Sequence, residues 1–518
     1  MLEILDPGPF LEDAAHYPGG HAAGVVFPRC TRDVSELLAG STGPSLILAI
    51  GAQSSLTGGA TPRGELLLST SKMTRVLASA PGRVTVEAGL TITALQEYLS
   101  AANAWFPPAP TYTGASAGGV VSTNAAGAAT FKYGSTRDWV EAMVVVLADG
   151  TVLDLTRGEH HARVGRLEIP GTPGPLVVPV PGYAMPAVSK RSAGYHAAPD
   201  MDLIDLFIGA EGTLGVVTEV TFKVQPRNTT VALALVPCPT DAEALRVTLA
   251  LRHASLDTWR SASASGIDVC AIENIDARSI AILQEDGADR RNDVAFPAGT
   301  AAALLVQLEL PAGLARAEAF RQIEDALLPG GEDSPLARFC RLLEAAGLLE
   351  GAELALPGDH RRMEQFIALR EAVPAGVNRR VGAARRDIDP RIEKTAADMV
   401  VPVEKFGEMM DVYRHGFESR GLDYAIWGHI SDGNVHPNVI PASYDDVVRG
   451  KEAILEFGRA VAALGGCPLA EHGVGRNPVK QALLQSLYGE AGIEEMRAVK
   501  RALDPRWRLA PGVMFQAK

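Results

Sequence analysis

Histidines, a carboxylate and glycines at short spacing mark where this chain can do chemistry. Trp427-Gly428-His429-Ile430 and Val435-His436-Pro437-Asn438-Val439 read as two short strands, with Ser431-Asp432-Gly433-Asn434 as a four-residue turn between them. If Ile430 pairs with Val435, His429 and His436 face each other with Cβ atoms about 4.5–5.5 Å apart. Two imidazoles held in that way can share one divalent metal. Glu471, in Ala470-Glu471-His472-Gly473-Val474-Gly475, offers a third ligand. Two histidines and one carboxylate leave open coordination positions, as a catalytic metal needs. Without a thiolate, Zn²⁺ is the first choice, and Mn²⁺ or Fe²⁺ also suit the set. The plainer reading is a pair of surface or hydrogen-bonded histidines beside a turn. His472 is the candidate general base, because histidine titrates near neutral pH. Its alternative role is to orient Glu471. Asn438 falls two residues after His436 on the same strand face, placed for a hydrogen bond to a substrate carboxylate or simply a strand-end residue.

A second set of residues suits a large anion. Gly51-Ala52-Gln53-Ser54-Ser55-Leu56-Thr57-Gly58-Gly59 follows an apolar run, Ser45 to Ile50, that reads as a buried strand. Small residues there let backbone N–H groups approach a pyrophosphate. Three further segments follow: Pro107-Pro108-Ala109-Pro110-Thr111 with Gly114 to Gly119, Asn124 to Gly127 with Lys132-Tyr133-Gly134, and Gly209 to Gly215 opening onto an apolar run. One glycine-rich turn is usually only a turn, whereas four in a β-rich half are hard to ascribe to chance. None fits a G-x-G-x-x-G fingerprint opening a βαβ unit, which disfavours a nicotinamide site of that type.

The elements that must position these residues fall into two patterns. Up to about residue 226 short strands alternate with glycine-rich turns. The expected elements include a helix at Asp33 to Leu38, a strand at Val84 to Ala88, a helix at Thr93 to Ala101, and a strand at Trp139 to Leu147 turning at Asp149-Gly150. Residues 157–189, rich in proline, read as a long ordered loop. From Thr229 the pattern becomes strand, helix, strand, helix. Val231 to Val236 is followed by a helix capped by Thr240 or Asp241, then Ala301 to Leu310 and a helix at Leu314 to Leu328, which predicts an α/β layer over about 229–465. A last helix runs Glu494 to Ala502 and stops before Pro505.

The bulk properties bound the answer. At 518 residues two or three domains are expected. A net charge of −13 argues against nucleic acid as a partner. Cys30, Cys238, Cys270, Cys340 and Cys467 lie far apart with no C-x-x-C pair, which disfavours an iron–sulfur cluster and fits reduced thiols in the cytoplasm. The first twenty residues show no signal-like apolar segment, and no apolar run is long enough to span a bilayer. A cytoplasmic protein is expected, with docking at the inner membrane or on a partner subunit left open.

The succession of glycine-rich segments resembles the FAD-binding domain of the vanillyl-alcohol oxidase / p-cresol methylhydroxylase (PCMH) superfamily. With G-H-x-x-D-G-N-x-H at 428–436 and E-H-G-x-G at 471–475, it resembles the branch of D-lactate dehydrogenases, the FAD subunit of glycolate oxidase and D-2-hydroxyglutarate dehydrogenases. That resemblance implies an α+β fold: a PCMH-type FAD-binding domain over 1–226, an α/β cap or substrate domain over 227–465, and a C-terminal helical segment over 466–518 that packs on the FAD domain and completes the active site. It implies FAD contacts from Gly51, Ala52, Gln53, Ser54, Ser55, Leu56, Thr57 and Gly58, and from Pro110, Thr111, Gly114, Gly118, Gly119, Ser122, Asn124, Gly127, Gly212 and Val217. The family often has consecutive glycines where Ala52 and Gln53 stand. No histidine lies between His21 and His160, so a non-covalent FAD is expected. The resemblance also implies a metal on His429, His436 and Glu471. It makes Arg370 a clamp for the substrate carboxylate, or else an exposed helical arginine, and Lys394 a substrate-side residue, or else a solvated loop lysine. The expected reaction is oxidation of a small D-2-hydroxy acid to the 2-oxo acid, hydride passing from C2 to flavin N5. Electrons would then leave to a separate protein, a quinone or oxygen. A non-redox flavoenzyme such as an alkylglycerone-phosphate synthase, an aryl-alcohol oxidase, and a non-catalytic flavin subunit remain as alternatives. The run of consecutive histidines that marks the first is missing from this chain.

Overall fold

The computed structural model describes residues 2–40, 46–108, 110–169 and 176–517, so Ser45 and Ala109 of the segments named above lie outside the described residues. The chain divides into two compact units. The first comprises Met1–Gly127, Gly134–Pro226 and Cys467–Lys518, and the second Ala128–Tyr133 and Arg227–Gly466.

Two larger sheets frame the first unit. Gly24–Val26, Leu66–Ser69 and Ile47–Ile50 lie side by side and parallel, in that order. Val76–Ala80, Arg83–Glu87, Val216–Lys223, Val140–Val146 and Val152–Thr156 form an antiparallel five-stranded sheet in that order. Ile47, Leu66, Leu68, Val146, Val216 and Leu509 share one buried core. Leu509 reaches it because the chain's tail runs beside Ile47, whose N–H donates to Arg508 O at 2.7 Å and whose carbonyl accepts from Ala510 N at 2.8 Å. The strand that feeds the Gly51–Gly59 loop is thereby braced from the far end of the sequence.

The predicted helices occur as Thr31–Ala39 and Ile92–Ser100, the latter capped by Thr91, whose hydroxyl accepts from Ala94 N. Gly118 and Gly119 lie inside a helix, Ala117–Ser122, capped by Ser116. Adjacent glycines hide a helix from a propensity argument, and here packing decides, since a Cβ on Gly118 would lie 2.7 Å from that of Ala88. Residues 157–189 are not all loop: Arg166–Ile169 and Leu176–Pro179 pair antiparallel, with alternating burial along the first, while 170–175 lie outside the described residues.

The second unit carries a seven-stranded sheet in the order Glu353–Ala355, Thr229–Cys238, Ala302–Pro311, Val269–Asp276, Tyr424–His429, Asn434–Val439 and Met399–Val400. Every pairing in it is antiparallel. Thr240, not Asp241, caps the helix Asp241–Ser261, accepting from Glu243 N. The helix expected from Leu314 is shorter, Arg316–Glu324. A helix of 28 residues, His360–Asp387, packs on the sheet through Phe366, Leu369 and Val373, which share a buried cluster with Ala425 and Trp427. The last helix begins well before Glu494, at Pro478, and ends at Leu503, with a break at Gly489. Among the described residues no helix is long and apolar enough to cross a membrane.

Candidate active site

In the second unit the sheet register decides how the histidines stand. The hairpin pairs Trp427 with His436, not Ile430 with Val435. The tighter turn expected from the sequence is replaced by a single 3₁₀ turn, Ile430–Asp432, closed by Gly433. Gly433 has φ +80°, and a Cβ there would strike the Val401 carbonyl at 2.1 Å, so only glycine fits. His429 and His436 are consequently diagonal neighbours rather than directly opposed. Their rings still meet edge to face, with centroids 5.6 Å apart.

Each histidine faces a carboxylate across the sheet. His429 pairs in register with Glu273, and its Nδ1 donates to Glu273 Oε1 at 2.9 Å. The pairings Met399↔Val435 and Ala396↔Asn438 set Asp398 across from His436. Asp398 Oδ1 lies 3.5 Å from His436 Nδ1, in electrostatic range though long for a hydrogen bond, and accepts from Asn434 Nδ2 at 3.1 Å. All four side chains are buried. At His429 the carboxylate on Nδ1 fixes the tautomer that presents Nε2 as a ligand, the arrangement that accompanies metal-binding histidines. The donor set therefore suits a divalent metal.

Arg370, in the middle of the long helix, is not an exposed arginine. Its guanidinium donates to Glu273 Oε2 at 3.2 Å, so one carboxylate ties it to His429. Lys394 keeps surface access, yet surrounding protein strips enough water to lower its ammonium to about 8. Asn438 is buried. Its Nδ2 donates to the His436 carbonyl at 2.8 Å, while its Oδ1 has no hydrogen-bond partner among the described residues. An unsatisfied buried acceptor costs roughly 1–3 kcal/mol, which a hydrogen-bond donor on a bound molecule would relieve.

Glu471 and His472 belong to the first unit. Their loop is held at several points. Lys190 Nζ sits 3.0 Å from Glu471 Oε2, and Ser192 N donates to the carbonyls of Leu469 and Ala470. Glu211 accepts from Val474 N at 2.7 Å and Gly475 N at 2.8 Å, and burial raises its own pKa to about 7. His472 Nε2 is 3.6 Å from Glu471 Oε1, too far for a hydrogen bond between them.

The same loop abuts the glycine-rich segment. Arg476 N donates to Thr57 O at 2.9 Å, and Gly475 packs against Thr57 so closely that no side chain fits. In that segment Gln53 takes a left-handed backbone, φ +50°, and its side chain donates to the carbonyls of Phe10 and Ala60. The backbone N–H groups of Ala52, Gln53, Ser54, Ser55 and Leu56 donate to no protein acceptor among the described residues. A run of unspent N–H groups between Gly51 and Gly58 fits the oxygens of a pyrophosphate. Pro110, Thr111 and Gly114 lie in the stretch leading to the helix Ala117–Ser122, which carries Gly118, Gly119 and Ser122, with Asn124 and Gly127 just beyond. Gly212 precedes the strand Val216–Lys223, and Val217 is its second residue.

Four residues of this account were missed by sequence reasoning. Glu273 and Asp398 back the histidines, and Lys190 and Glu211 hold the loop that follows Ala470. Glu273 left a readable trace, as a carboxylate in the otherwise apolar run Cys270-Ala271-Ile272. Lys190 left none.

Residues 239–514 match the family "FAD linked oxidases, C-terminal domain", and residues 22–156 match an FAD binding domain. A D-lactate dehydrogenase of Archaeoglobus fulgidus is 26% identical over 495 residues, spanning 94% of this chain and 90% of that protein. A mitochondrial D-2-hydroxyglutarate dehydrogenase of Bos taurus is 27% identical over 505 residues, spanning 96% and 77%. The glycolate oxidase subunit GlcD of Bacillus subtilis is 26% identical over 498 residues, spanning 95% and 88%. Among solved structures, an alkyldihydroxyacetonephosphate synthase aligns with a TM-score of 0.56 at 15% identity, covering 94% of this chain and 76% of that one, a likeness of fold. With the C-terminal domain match alone running over more than half its length, the chain belongs to the FAD-linked oxidases and is an FAD-dependent oxidoreductase.

Proposed function

We propose that this enzyme oxidises a small D-2-hydroxy acid to its 2-oxo acid with the help of a divalent metal bound by His429, His436 and Glu471. The observation that carries the reading is the pair of buried histidines, each backed by a cross-strand carboxylate. Relatives whose names specify D-lactate, D-2-hydroxyglutarate and glycolate support the substrate class. FAD, when bound, supplies the acceptor for the hydride that leaves C2. A metal, when bound, lowers the pKa of the 2-hydroxyl and fixes it beside the carboxylate. His472 takes the hydroxyl proton. Arg370 and Lys394 supply positive charge for the carboxylate. Oxidation then produces one 2-oxo acid and one proton, with two electrons held for a separate acceptor, a protein, a quinone or oxygen. Five cysteines far apart in the sequence, with no C-x-x-C pair, support an acceptor outside this chain.

Replacing His436 by alanine tests the reading. The variant is expected to keep its visible flavin absorbance while losing turnover and bound metal. Turnover that survives the replacement would sink the metal role.

A further inference from the structure

We propose that Lys190 is a positioning residue for Glu471, holding one carboxylate oxygen and setting the charge against which a metal binds the other. The inference rests on the metal reading above and adds to it a residue that weakens metal affinity. Lys190 has a side-chain exposure of 0%, and its Nζ lies 3.0 Å from Glu471 Oε2. Neither partner is free to drift. The segment carrying Lys190 is pinned to the loop carrying Glu471, because Ser192 N donates to Leu469 O at 3.0 Å and Ala470 O at 2.9 Å. On the far side of that loop Glu211 grips Val474 N and Gly475 N, and Arg476 pairs with Glu65.

A buried ammonium is tolerated only beside a countercharge, and Glu471 supplies one. Two consequences follow from the pairing. The Lys190 ammonium stands against Oε2 as an ion-pair contact, which leaves Oε1 as the oxygen for a metal. An ammonium on one oxygen also opposes a dication on the other, and between poorly solvated charges that repulsion is strong. Removing the Lys190 charge while leaving the loop pinned should therefore tighten metal binding. Loss of a merely structural contact would weaken it.

The test uses the full-length, FAD-loaded protein, stripped of metal by a chelator and titrated with Mn²⁺, the free ion being counted by its electron paramagnetic resonance signal. Lys190→Gln keeps a polar side chain near Oε2 without the charge, and Lys190→Met keeps the length of the side chain. Both are expected to bind Mn²⁺ at least about tenfold more tightly than wild type, and Lys190→Arg to stay within about twofold. Unchanged or weaker Mn²⁺ binding by a neutral variant with intact circular dichroism and flavin spectrum would overturn the proposal. If Lys190→Met does not fold, Lys190→Gln decides alone. A wild-type protein that takes up no Mn²⁺ would instead remove the metal reading, and this inference with it.

Discussion

Glu273 serves two residues with one carboxylate: Oε1 accepts from His429 and Oε2 from Arg370. Its replacement by glutamine keeps the volume but removes the charge that fixes the imidazole tautomer. Metal affinity is expected to fall by about 10–100-fold, the usual effect of losing such a partner, as measured by Mn²⁺ or Zn²⁺ titration. Lys394 leads to a pH prediction. Desolvation lowers its pKa from 10.5 to about 8, so its charge is full below that value and is lost as pH rises through it. If it helps bind the substrate carboxylate, KM should be flat below about pH 8 and climb above it, while Lys394→Arg should hold KM flat across the same range. A KM that ignores pH in the wild type would remove Lys394 from the site. The neighbouring pair of buried histidines was legible in the sequence because its motif is local. Glu273 was not, because its meaning comes from a partner 156 residues away, across a strand pairing that spacing does not reveal.

The hairpin that carries the histidines shows why an element can be found and still be misregistered. Its strands were readable from alternation, but a 3₁₀ turn moved the pairing from Ile430–Val435 to Trp427–His436. The turn depends on Gly433, whose left-handed backbone and contact with Val401 O exclude a side chain. Gly433→Ala is expected to destabilise the second unit by about 1–3 kcal/mol, measurable by thermal denaturation. A stability unchanged within error would show that the turn relaxes without cost. The strands at Arg166–Ile169 and Leu176–Pro179 were overlooked for a different reason: each is short, and the surrounding prolines dominate the local signal.

Over the whole chain, each unit has its own hydrophobic core. Apart from Lys132 and Tyr133 the glycine-rich segments lie in the first, so FAD is expected to stabilise that unit by mass action, about 2.7 kcal/mol at a hundredfold excess over Kd. Calorimetry with and without FAD should show the transition of the first unit move upward. No shift would place the flavin elsewhere. The two-part architecture was readable from the change of pattern near residue 226. That Ala128–Tyr133 joins the second unit was not readable, because the cause is a long-range cluster in which Lys132 pairs with Asp268 and Glu309, and Tyr133 donates to Glu309.

The central claim, metal-assisted oxidation of a D-2-hydroxy acid, is tested most directly by anaerobic reduction of the bound flavin with paired D- and L-2-hydroxy acids, before and after chelator treatment. Bleaching by a D-acid alone, abolished by chelator and restored by Zn²⁺ or Mn²⁺, is the expected result. A bound flavin that no hydroxy acid reduces, or one whose reduction a chelator leaves untouched, would contradict it.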